Sequence, residues 1–416
     1  MNAIELGYVA LEYGTPLFVF DEGAFAQRMR NVDEIFGADV KLCFAVKANP
    51  FFIPTAERIG ARLEVCSPGE LDICRALNVN PTSIVFSGVN KTPDTVHDAA
   101  DYGVGIDGCG VMTAESRKHV ELIEAEGEQR GASIDVLLRL NAGSQFGMSR
   151  DDLIDIIDSR ARFPHVRIVG IHYFKCTQRL KLKHQIKELG KLTELIEEIE
   201  HGHGFSIERL EYGPGLGVPQ FTDDDFSDTL SPARELADAL LDMAARVELT
   251  VEMGRFFAAE CGTYLTTVND LKSCDPMRYC IVDGGINHLT YLGSMMGMKT
   301  PVIEHLRDGH PLDADAVGAC EPLEWCIAGS LCTTNDVLVR NIELTDLQEG
   351  DVLAFRNAGA YSVTEGIALL LSRTLPRVIM RKEDGMFALG RDFTETSPLN
   401  TLSMRTAKKD DNGTDA

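Results

Sequence analysis

The chain has 416 residues and a formal net charge of −24, with 44% hydrophobic and 25% charged residues. This composition is typical of a globular protein that is long enough for two domains. The acidic balance argues against nucleic acid and anionic membranes as general partners. No apolar run approaches the ~20 residues of a membrane helix, and the amino terminus lacks a signal-peptide pattern. The 11 cysteines form no CxxC pair and no zinc-type cluster. We therefore expect no metal site, reduced thiols and a cytoplasmic location.

The first part of the chain alternates between short apolar runs and helical patterns. After a strand-like stretch at 15–20, the apolar runs lie at 42–46, 63–66, 84–87, 103–106, 134–140, 168–174, 210–212 and 249–252. The helical patterns lie at 68–77, 92–102, 114–126, 151–162, 182–200 and 231–245. Eight strands in this alternation predict a parallel (β/α)₈ TIM barrel. A doubly wound open sheet is the competing arrangement, but no GxGxxG turn follows the first strand.

After residue 258 the pattern changes to short β-type runs without long helices between them. They lie at 261–268, 278–282, 325–328, 351–355, 377–381 and 386–389, and they predict an all-β sandwich or barrel. The stretch 292–318, rich in Met, Gly and Pro, is expected to be a loop. We therefore predict a barrel domain over 24–258, a β domain built from 1–23 and 259–405, and a disordered tail over 406–416.

Lys47 lies where the first barrel strand is predicted to end, in the segment 44–50. A lysine there either reaches solvent or forms an imine with an aldehyde cofactor or a carbonyl substrate. In (β/α)₈ barrels the active-site groups lie at the carboxyl ends of the strands. The polar or glycine-rich strand ends are Lys47, Ser67–Glu70, His172–Thr177, the glycines Gly213, Gly215 and Gly217, and Glu252–Arg255. The glycine-rich turn together with Arg255 predicts a phosphate cradle.

Six segments carry a resemblance to a known family, and they occur in the family's order. They are 44–50 (FAVKANP), 64–71 (EVCSPGEL), 213–217 (GPGLG), 252–255 (EMGR), 329–332 (GSLC) and 358–361 (AGAY). On these motifs the chain resembles the fold-type III pyridoxal-phosphate decarboxylases of the diaminopimelate and ornithine decarboxylase group. The resemblance implies an alanine-racemase-like barrel with a carboxyl-terminal β domain, pyridoxal 5′-phosphate as cofactor, and α-decarboxylation of an amino acid.

The resemblance also implies roles for particular residues. Lys47 would hold the cofactor as an imine, and Glu252 would face its pyridine nitrogen. Cys332 would come from the partner subunit and protonate the carbanion left after CO₂ release, so a homodimer with shared sites is expected. The phosphate and the ring would be held by Thr177, Gly213, Gly215, Gly217, Gly254, Arg255 and Tyr361, with Phe174 where the family has a stacking histidine.

The substrate side departs from the diaminopimelate decarboxylases. Thr333 stands in place of a glutamate that binds the distal ammonium, and Tyr291 in place of an arginine that binds the distal carboxylate. Glu70 and Asp336 complete the predicted substrate-side set. With those two charges missing, a free distal ammonium and carboxylate would lie unpaired. We therefore predict an L-amino acid presented without a free distal D-centre, because the pattern is nearest to carrier-protein-linked glutamyl decarboxylases of antibiotic biosynthesis.

Basic residues after the sixth strand suggest how such a carrier could be attracted. They are Lys175, Arg179, Lys181, Lys183 and Lys187, and they could steer an acidic carrier protein. The alternative is a solvated helix face that pairs with neighbours such as Glu188. A true meso-diaminopimelate decarboxylase, an amino-acid racemase and a catalytically silent homologue are the other functions left open.

Overall fold

The computed structural model describes residues 1–291, 297–312 and 320–402. The first nine strands are β1 (Leu17–Asp21), β2 (Val40–Ala45), β3 (Arg62–Val65), β4 (Ile84–Phe86), β5 (Val111–Ala114), β6 (Ile134–Arg139), β7 (Val166–Phe174), β8 (Arg209–Gly213) and β9 (Glu248–Met253). The later strands are β10 (Gly262–Cys274), β11 (Met277–Val282), β12 (Ile303–Arg307), β13 (His310–Pro311), β14 (Leu323–Ala328), β15 (Val337–Leu344), β16 (Val352–Phe355), β17 (Arg377–Arg381) and β18 (Phe387–Arg391).

Most of the helices lie between the barrel strands. They are α1 (Ala3–Tyr13), α2 (Glu22–Phe36), α3 (Ile53–Arg58), α4 (Pro68–Ala76), α5 (Pro93–Asp101), α6 (Arg117–Arg130), α7 (Arg150–Asp158), α8 (Lys183–His203), α9 (Ser231–Ala244) and α10 (Arg255–Ala258). The local sequence determines where several of these helices begin. In α4, for example, Pro68 opens the helix, and the Ser67 side chain accepts the backbone N–H of Glu70. In the described part of the chain, no helix has both the length and the apolarity that crossing a membrane requires.

Strands β2 to β9 form a closed parallel barrel in which β9 returns to pair with β2. The predicted (β/α)₈ barrel is therefore confirmed, and seven of its eight predicted runs overlap barrel strands. The prediction at 103–106 is wrong, because the strand is Val111–Ala114. Gly103 and Gly105 have φ values of +96° and +81°, so this stretch is a turn, where Ile106 makes only an isolated bridge to Ile134.

Strands β1 and β10–β18 form a second, mostly antiparallel sheet, which confirms the predicted β region. β1 pairs antiparallel with β10 and parallel with β17, so the amino-terminal segment belongs to the sheet of the later chain. The loop predicted at 292–318 is wrong in part, because it contains β12 and β13. Residues 292–296 and 313–319 and the predicted tail 406–416 lie outside the described residues.

The predicted domain boundaries fall close to the change from barrel to sheet. Residue 24 lies within α2, which follows β1 directly, and residue 258 is the last residue of α10. The division into two domains stays a prediction. What the structure shows is that barrel and sheet meet at the turn that carries Lys47. The Asn49 side chain donates to the carbonyl of Gly359 (2.9 Å), and the Tyr361 N–H donates to the carbonyl of Ala48 (2.6 Å).

Candidate active site

A single cavity at the carboxyl end of the barrel brings together residues from four strand ends and Tyr361, which lies between β16 and β17. Its floor and walls come from the ends of β2, β7, β8 and β9, and Tyr361 closes one side. The lining residues are Ala45, Lys47, Phe174, Thr177, Gly215, Leu216, Glu252, Met253, Gly254, Arg255, Phe256 and Tyr361. Most of the cofactor-binding residues predicted from the sequence therefore lie around one space.

Lys47 is surrounded by acidic side chains at one end of this cavity. Its ammonium contacts the Glu64 carboxylate directly and lies 3.6 Å from Glu252 Oε1. Burial alone would lower the pKa of Lys47. The negative charges of Glu64 and Glu252 outweigh that effect and raise the pKa well above its ordinary value. The Cys66 thiol lies 3.6 Å from the ammonium and donates to Glu64 Oε1 (3.2 Å).

The Glu252 carboxylate is hydrogen-bonded to a buried histidine. The Nε2 atom of His172 lies 3.0 Å from Glu252 Oε2, and His172 is fully buried on β7. Burial and the nearby Arg139 guanidinium lower the pKa of His172 to about 3, so the ring is neutral at physiological pH. A neutral imidazole whose Nε2 atom carries the proton donates to Glu252 and leaves the negative charge on that carboxylate.

The glycine-rich turn at 213–217 is packed against the loop that follows β7. Gly215 has a φ of +60°, and a Cβ atom there would lie 1.8 Å from the carbonyl oxygen of Cys176. The Arg179 N–H donates to the carbonyl of Gly215 (2.9 Å), which joins the two loops. A Cβ on Gly213 would meet the Phe174 ring at 2.4 Å. Glycine is therefore favoured at both positions by close packing, and at Gly215 also by the backbone conformation.

Arg255 and Tyr361 form the cationic end of the cavity. The Arg255 guanidinium lies over the Tyr361 ring, 4.6 Å from its centroid. Arg255 is buried. It donates a long hydrogen bond to Gln220 Oε1 (3.4 Å), and its Nε has no partner among the described residues. Burial lowers the pKa of Arg255, and an anion beside it would oppose that effect. A buried, under-satisfied guanidinium next to Gly254 fits a phosphate group.

Comparison with known proteins agrees with this geometry. A family described as pyridoxal-dependent decarboxylase, pyridoxal binding domain, matches residues 22–259, which is more than half of the chain. The chain belongs to this family. It is therefore a carboxy-lyase that uses pyridoxal phosphate, and the residues around the cavity fit that cofactor: an amine at Lys47, carboxylates near it, and a guanidinium with small backbone positions at the other end.

Individual relatives extend over nearly the whole chain. A diaminopimelate decarboxylase of Pseudomonas aeruginosa is 28% identical, over 86% of this chain and 86% of its own length. The decarboxylase of the L-glutamyl–BtrI acyl-carrier protein of Niallia circulans is 25% identical, over 94% of both chains. A solved structure of diaminopimelate decarboxylase from Methanocaldococcus jannaschii has a TM-score of 0.84 at 24% identity, covering 96% of this chain and 94% of that one. The last similarity confirms the fold.

In this decarboxylase, Cys332 lies in a loop that a buried aspartate holds in place. Asp336 accepts the N–H of Leu331 (2.7 Å) and the N–H of Ile286 (2.8 Å). The Ser330 N–H donates to the carbonyl of Gly284 (2.7 Å), so the loop is anchored to the turn after β11. Cys332 itself is exposed and is not among the described residues that line the cavity of its own chain.

The remaining substrate-side predictions have distinct surroundings. Asp336 is 2% exposed and is occupied by the backbone contacts described above, and Thr333 lies beside Cys332 in the same loop. Tyr291 is fully buried, and its hydroxyl donates to the carbonyl of Arg356 (2.6 Å). Glu70 accepts the N–H of Cys66 (2.6 Å) at the start of α4. Their predicted contacts with substrate stay predictions.

Three buried polar residues of the barrel receive no role from the sequence: Glu64, which lies in one of the six motifs, His172, which lies at a strand end, and Glu211, which the sequence does not single out. Each lies in a strand whose other residues are mostly apolar. In a parallel barrel, strands are covered on both faces, so a charged side chain within such a run has no ordinary route to solvent. A polar or charged residue within an apolar strand run is therefore the sequence signal that could identify these three residues as functional candidates.

Proposed function

We propose that this enzyme removes the α-carboxylate of an L-amino acid, with Lys47, Glu252 and Arg255 as the central residues. One observation carries the proposal: a single cavity has Lys47 between two carboxylates at one end and an under-satisfied buried Arg255 at the other. The bound pyridoxal phosphate supplies an electron sink for the electron pair left when CO₂ departs. Lys47 is the amine that would hold the cofactor, and the space beside it would admit the substrate amine.

The protein's own residues hold protons and charges around that sink. Glu252 places a negative charge where the pyridine nitrogen would lie and so keeps a proton on it. His172 fixes the orientation of Glu252 through the 3.0 Å contact. Arg255, the backbone at Gly254 and the Tyr361 hydroxyl hold the phosphate. Phe174, at the end of β7, covers one side of the cavity. Its aromatic face suits stacking against a planar ring.

Cys332 is proposed to complete the site of a partner subunit. Its thiol is exposed, its loop is held by Asp336, and it lies away from the cavity of its own chain. A thiol delivered from a second copy could return a proton to the substrate carbon after CO₂ has left. Such an arrangement requires a two-fold homodimer, in which each chain donates Cys332 to the other.

The substrate is proposed to be an L-amino acid held on an acyl carrier protein. Two features support this choice: Thr333 and Tyr291 offer no charge for a distal ammonium and carboxylate, and one relative is named for a carrier-linked glutamyl substrate. The Tyr291 hydroxyl is directed to a backbone carbonyl. A free diaminopimelate would leave two charged groups without the partners that those two positions supply in diaminopimelate decarboxylases.

The basic cluster after β7 is smaller than the sequence indicates. Arg179 makes a two-bond ion pair with Glu188 (2.6 and 2.8 Å), and Lys175 lies 3.6 Å from the same carboxylate. Arg179 and Lys175 are therefore paired with a neighbouring glutamate, as in the alternative to carrier steering given by the sequence. Three exposed lysines, Lys181, Lys183 and Lys187, make no ion pair among the described residues. They are the residues proposed to attract the acidic carrier, together with the exposed side chains of Leu180 and Ile186.

Turnover on three substrate types tests the proposal: free meso-diaminopimelate, free L-glutamate and a carrier-bound L-glutamyl group. We expect efficient CO₂ release only from the carrier-bound group. Reversing Lys181, Lys183 and Lys187 to glutamate should raise KM for that substrate about tenfold or more with little change in kcat, because encounter is steered electrostatically. Lys118→Glu, at an exposed lysine on α6, is the control and should change neither value.

A second candidate is decarboxylation of free meso-diaminopimelate. It is favoured by the similarity to the diaminopimelate decarboxylase of Pseudomonas aeruginosa over most of both chains. Efficient turnover of the free compound, unchanged in the three-lysine variant, would establish this function and contradict the carrier proposal. Absence of CO₂ release from every amino acid, with the cofactor bound, would instead contradict the assignment of Lys47, Glu252 and Arg255 as a working catalytic set.

A further inference from the structure

Glu211 is a glutamate inside the barrel whose carboxyl group has no assigned role. It lies on β8, next to His172 of β7 and Thr250 of β9, and it is 1% exposed. Neither of its carboxyl oxygens has a hydrogen-bond partner among the described residues. An ionised carboxylate in such a place is strongly disfavoured, because it has lost its hydration and has in return at most the weak donor of the Cys43 thiol.

The neighbouring charges decide which carboxyl group takes the proton. Three glutamates share this part of the barrel, and Lys47 contacts two of them, Glu64 and Glu252. No ion pair joins Glu211 to a cation in the described part of the chain. Atoms of Glu211, Glu252 and the His172 ring lie within 4.8 Å of one another. Since two carboxylates so close cannot both stay ionised at low cost, the one without a cationic partner is the one to be protonated.

The neutral His172 ring leaves Glu252 as the charged acceptor close to Glu211. Its Nε2 faces Glu252, and its Nδ1 is buried without a partner among the described residues. A neutral imidazole that donates from Nε2 has a bare acceptor at Nδ1. Because Glu211 makes no hydrogen bond to Nδ1 among the described residues, the charged acceptor available to the O–H of a neutral Glu211 is the Glu252 carboxylate, within 4.8 Å of it.

We propose that Glu211 is a positioning residue that stays a neutral carboxylic acid and donates a hydrogen bond to the His172–Glu252 pair, so that the negative charge stays on Glu252. Burial, and the charges of Glu252 and Glu64, raise the pKa of Glu211 well above its ordinary value, which agrees with this assignment. Arg62 and Cys43 are the other titratable groups that act on it, and both effects are smaller. Glu211 acts through Glu252 and does not touch the cofactor.

This inference rests on the proposed role of Glu252, so its first test does not use activity. The infrared carbonyl band of a protonated carboxylic acid is recorded near pH 7, in apoenzyme and holoenzyme, for the wild type and for Glu211→Gln. We expect the wild type to show a band that Glu211→Gln lacks in both forms. Glu126→Gln is the control, because Glu126 is also buried but is paired with Arg130, and its loss should remove no such band.

The second test separates a positioning role from simple packing. Glu211→Gln keeps a neutral hydrogen-bond donor and should retain kcat within about threefold, whereas Glu211→Met should lower kcat roughly tenfold to a hundredfold. Glu211→Met should also shift the pH dependence of the cofactor's absorbance, which a packing defect would not do. The inference is overturned if the band survives in Glu211→Gln. It is equally overturned if Glu211→Met keeps the wild-type pH dependence.

Discussion

In the sheet, the carboxylate of Asp351 accepts hydrogen bonds from Arg307 Nε (2.7 Å), His305 Nε2 (2.7 Å) and the backbone N–H of Gln348 (2.8 Å). At the carboxyl end of the barrel, by contrast, Glu64 and Glu252 share the ammonium of Lys47. Nearby, Glu211 has no partner among the described residues. Both regions bury carboxyl groups, but Asp351 is surrounded by hydrogen-bond donors, whereas Glu211 is not.

This difference separates residues that hold the fold from residues that do chemistry. A fully satisfied buried carboxylate stabilises one arrangement of the chain, and its loss exposes unpaired partners. A buried charged group with too few hydrogen-bond partners is stabilised when it binds a ligand or a proton. Such groups are common in functional sites. Substitutions in the barrel group should therefore change cofactor binding and rate while leaving the fold intact. Substitution of Asp351 in the sheet should instead lower the stability of the fold and leave cofactor binding and rate unchanged.

Lys47→Ala should have the largest effect of any single change. We expect loss of the characteristic cofactor absorbance and of measurable turnover, because the covalent attachment point is gone. The variant should stay folded, since the Lys47 side chain is half-buried and its alkyl stem contributes little to the core. Absorbance spectra, CO₂ release and thermal unfolding are the measurements. Wild-type turnover in this variant would contradict the assignment.

Glu252→Gln should lower the rate on the order of 10²–10³-fold, because a neutral amide would keep a proton on the pyridine nitrogen less well than a carboxylate, which weakens the electron sink. His172, with a pKa of about 3, cannot take over the negative charge. The stability of the fold should change little, and cofactor should still bind. A variant within a few-fold of the wild type in kcat would show that Glu252 is structural.

Cys332→Ala should leave cofactor binding intact and slow turnover by about 10²-fold, near the lower end of what positioned proton transfer contributes. Some turnovers should then release an aldehyde instead of an amine, because water would replace the substrate nitrogen, which would stay on the cofactor and leave it in its amine form. Mixing this variant with Lys47→Ala provides the matched test of a shared site. Recovery of activity in mixed dimers is expected, and a normal rate and product in Cys332→Ala alone would contradict the role.

Asp351→Asn should lower the free energy of unfolding by about 2–3 kcal/mol near pH 7 without changing kcat. Burial raises the pKa of Asp351, but Arg307, His305 and the Gln348 N–H outweigh it and bring the folded-state pKa down to about 2. Because the folded pKa lies below the unfolded one, this stabilisation is present above about pH 4 and is lost as the pH falls through about 2.

Urea unfolding at pH 7 and at pH 3 measures this effect, and Asp242→Asn, on an exposed position of α9, is the control. The difference in stability between the wild type and Asp351→Asn should shrink at the lower pH. An equal difference at both values would show that the ionised carboxylate is not the source of the stabilisation.

The sequence predicts the barrel better than the sheet for a physical reason. Barrel strands are buried on both faces and alternate with amphipathic helices, so their apolar runs are distinct. The one error, at 103–106, is an apolar run between glycines that adopt positive φ. In the sheet, Val337–Leu344 was missed because Arg340, Asn341 and Glu343 interrupt its apolar pattern.

Within the candidate site, the sequence locates some residues, whereas the contacts of others are visible only in the folded structure. Motifs at strand ends locate Lys47, Glu252 and Arg255, because their spacing survives in the linear chain. The contacts among Glu64, His172 and Glu211 arise only when β3, β7, β8 and β9 close into a barrel. The pairing of Lys175 and Arg179 with Glu188 depends on how the loop after β7 turns into α8. Charge contacts of this kind cannot be predicted from the sequence, because they depend on the three-dimensional positions of both residues.

Identifying the lysine that binds the cofactor tests the central claim most directly, because the same end of the barrel holds a second buried lysine. Lys91 donates to the carbonyls of Ser87 (2.8 Å) and Gly88 (3.0 Å), and burial lowers its pKa to about 8. By pKa alone, Lys91 would be the better nucleophile. Borohydride reduction of the holoenzyme, followed by peptide mass spectrometry, should place the pyridoxyl group on Lys47, where Glu64 and Glu252 flank the amine. A pyridoxyl group on Lys91 would contradict the account.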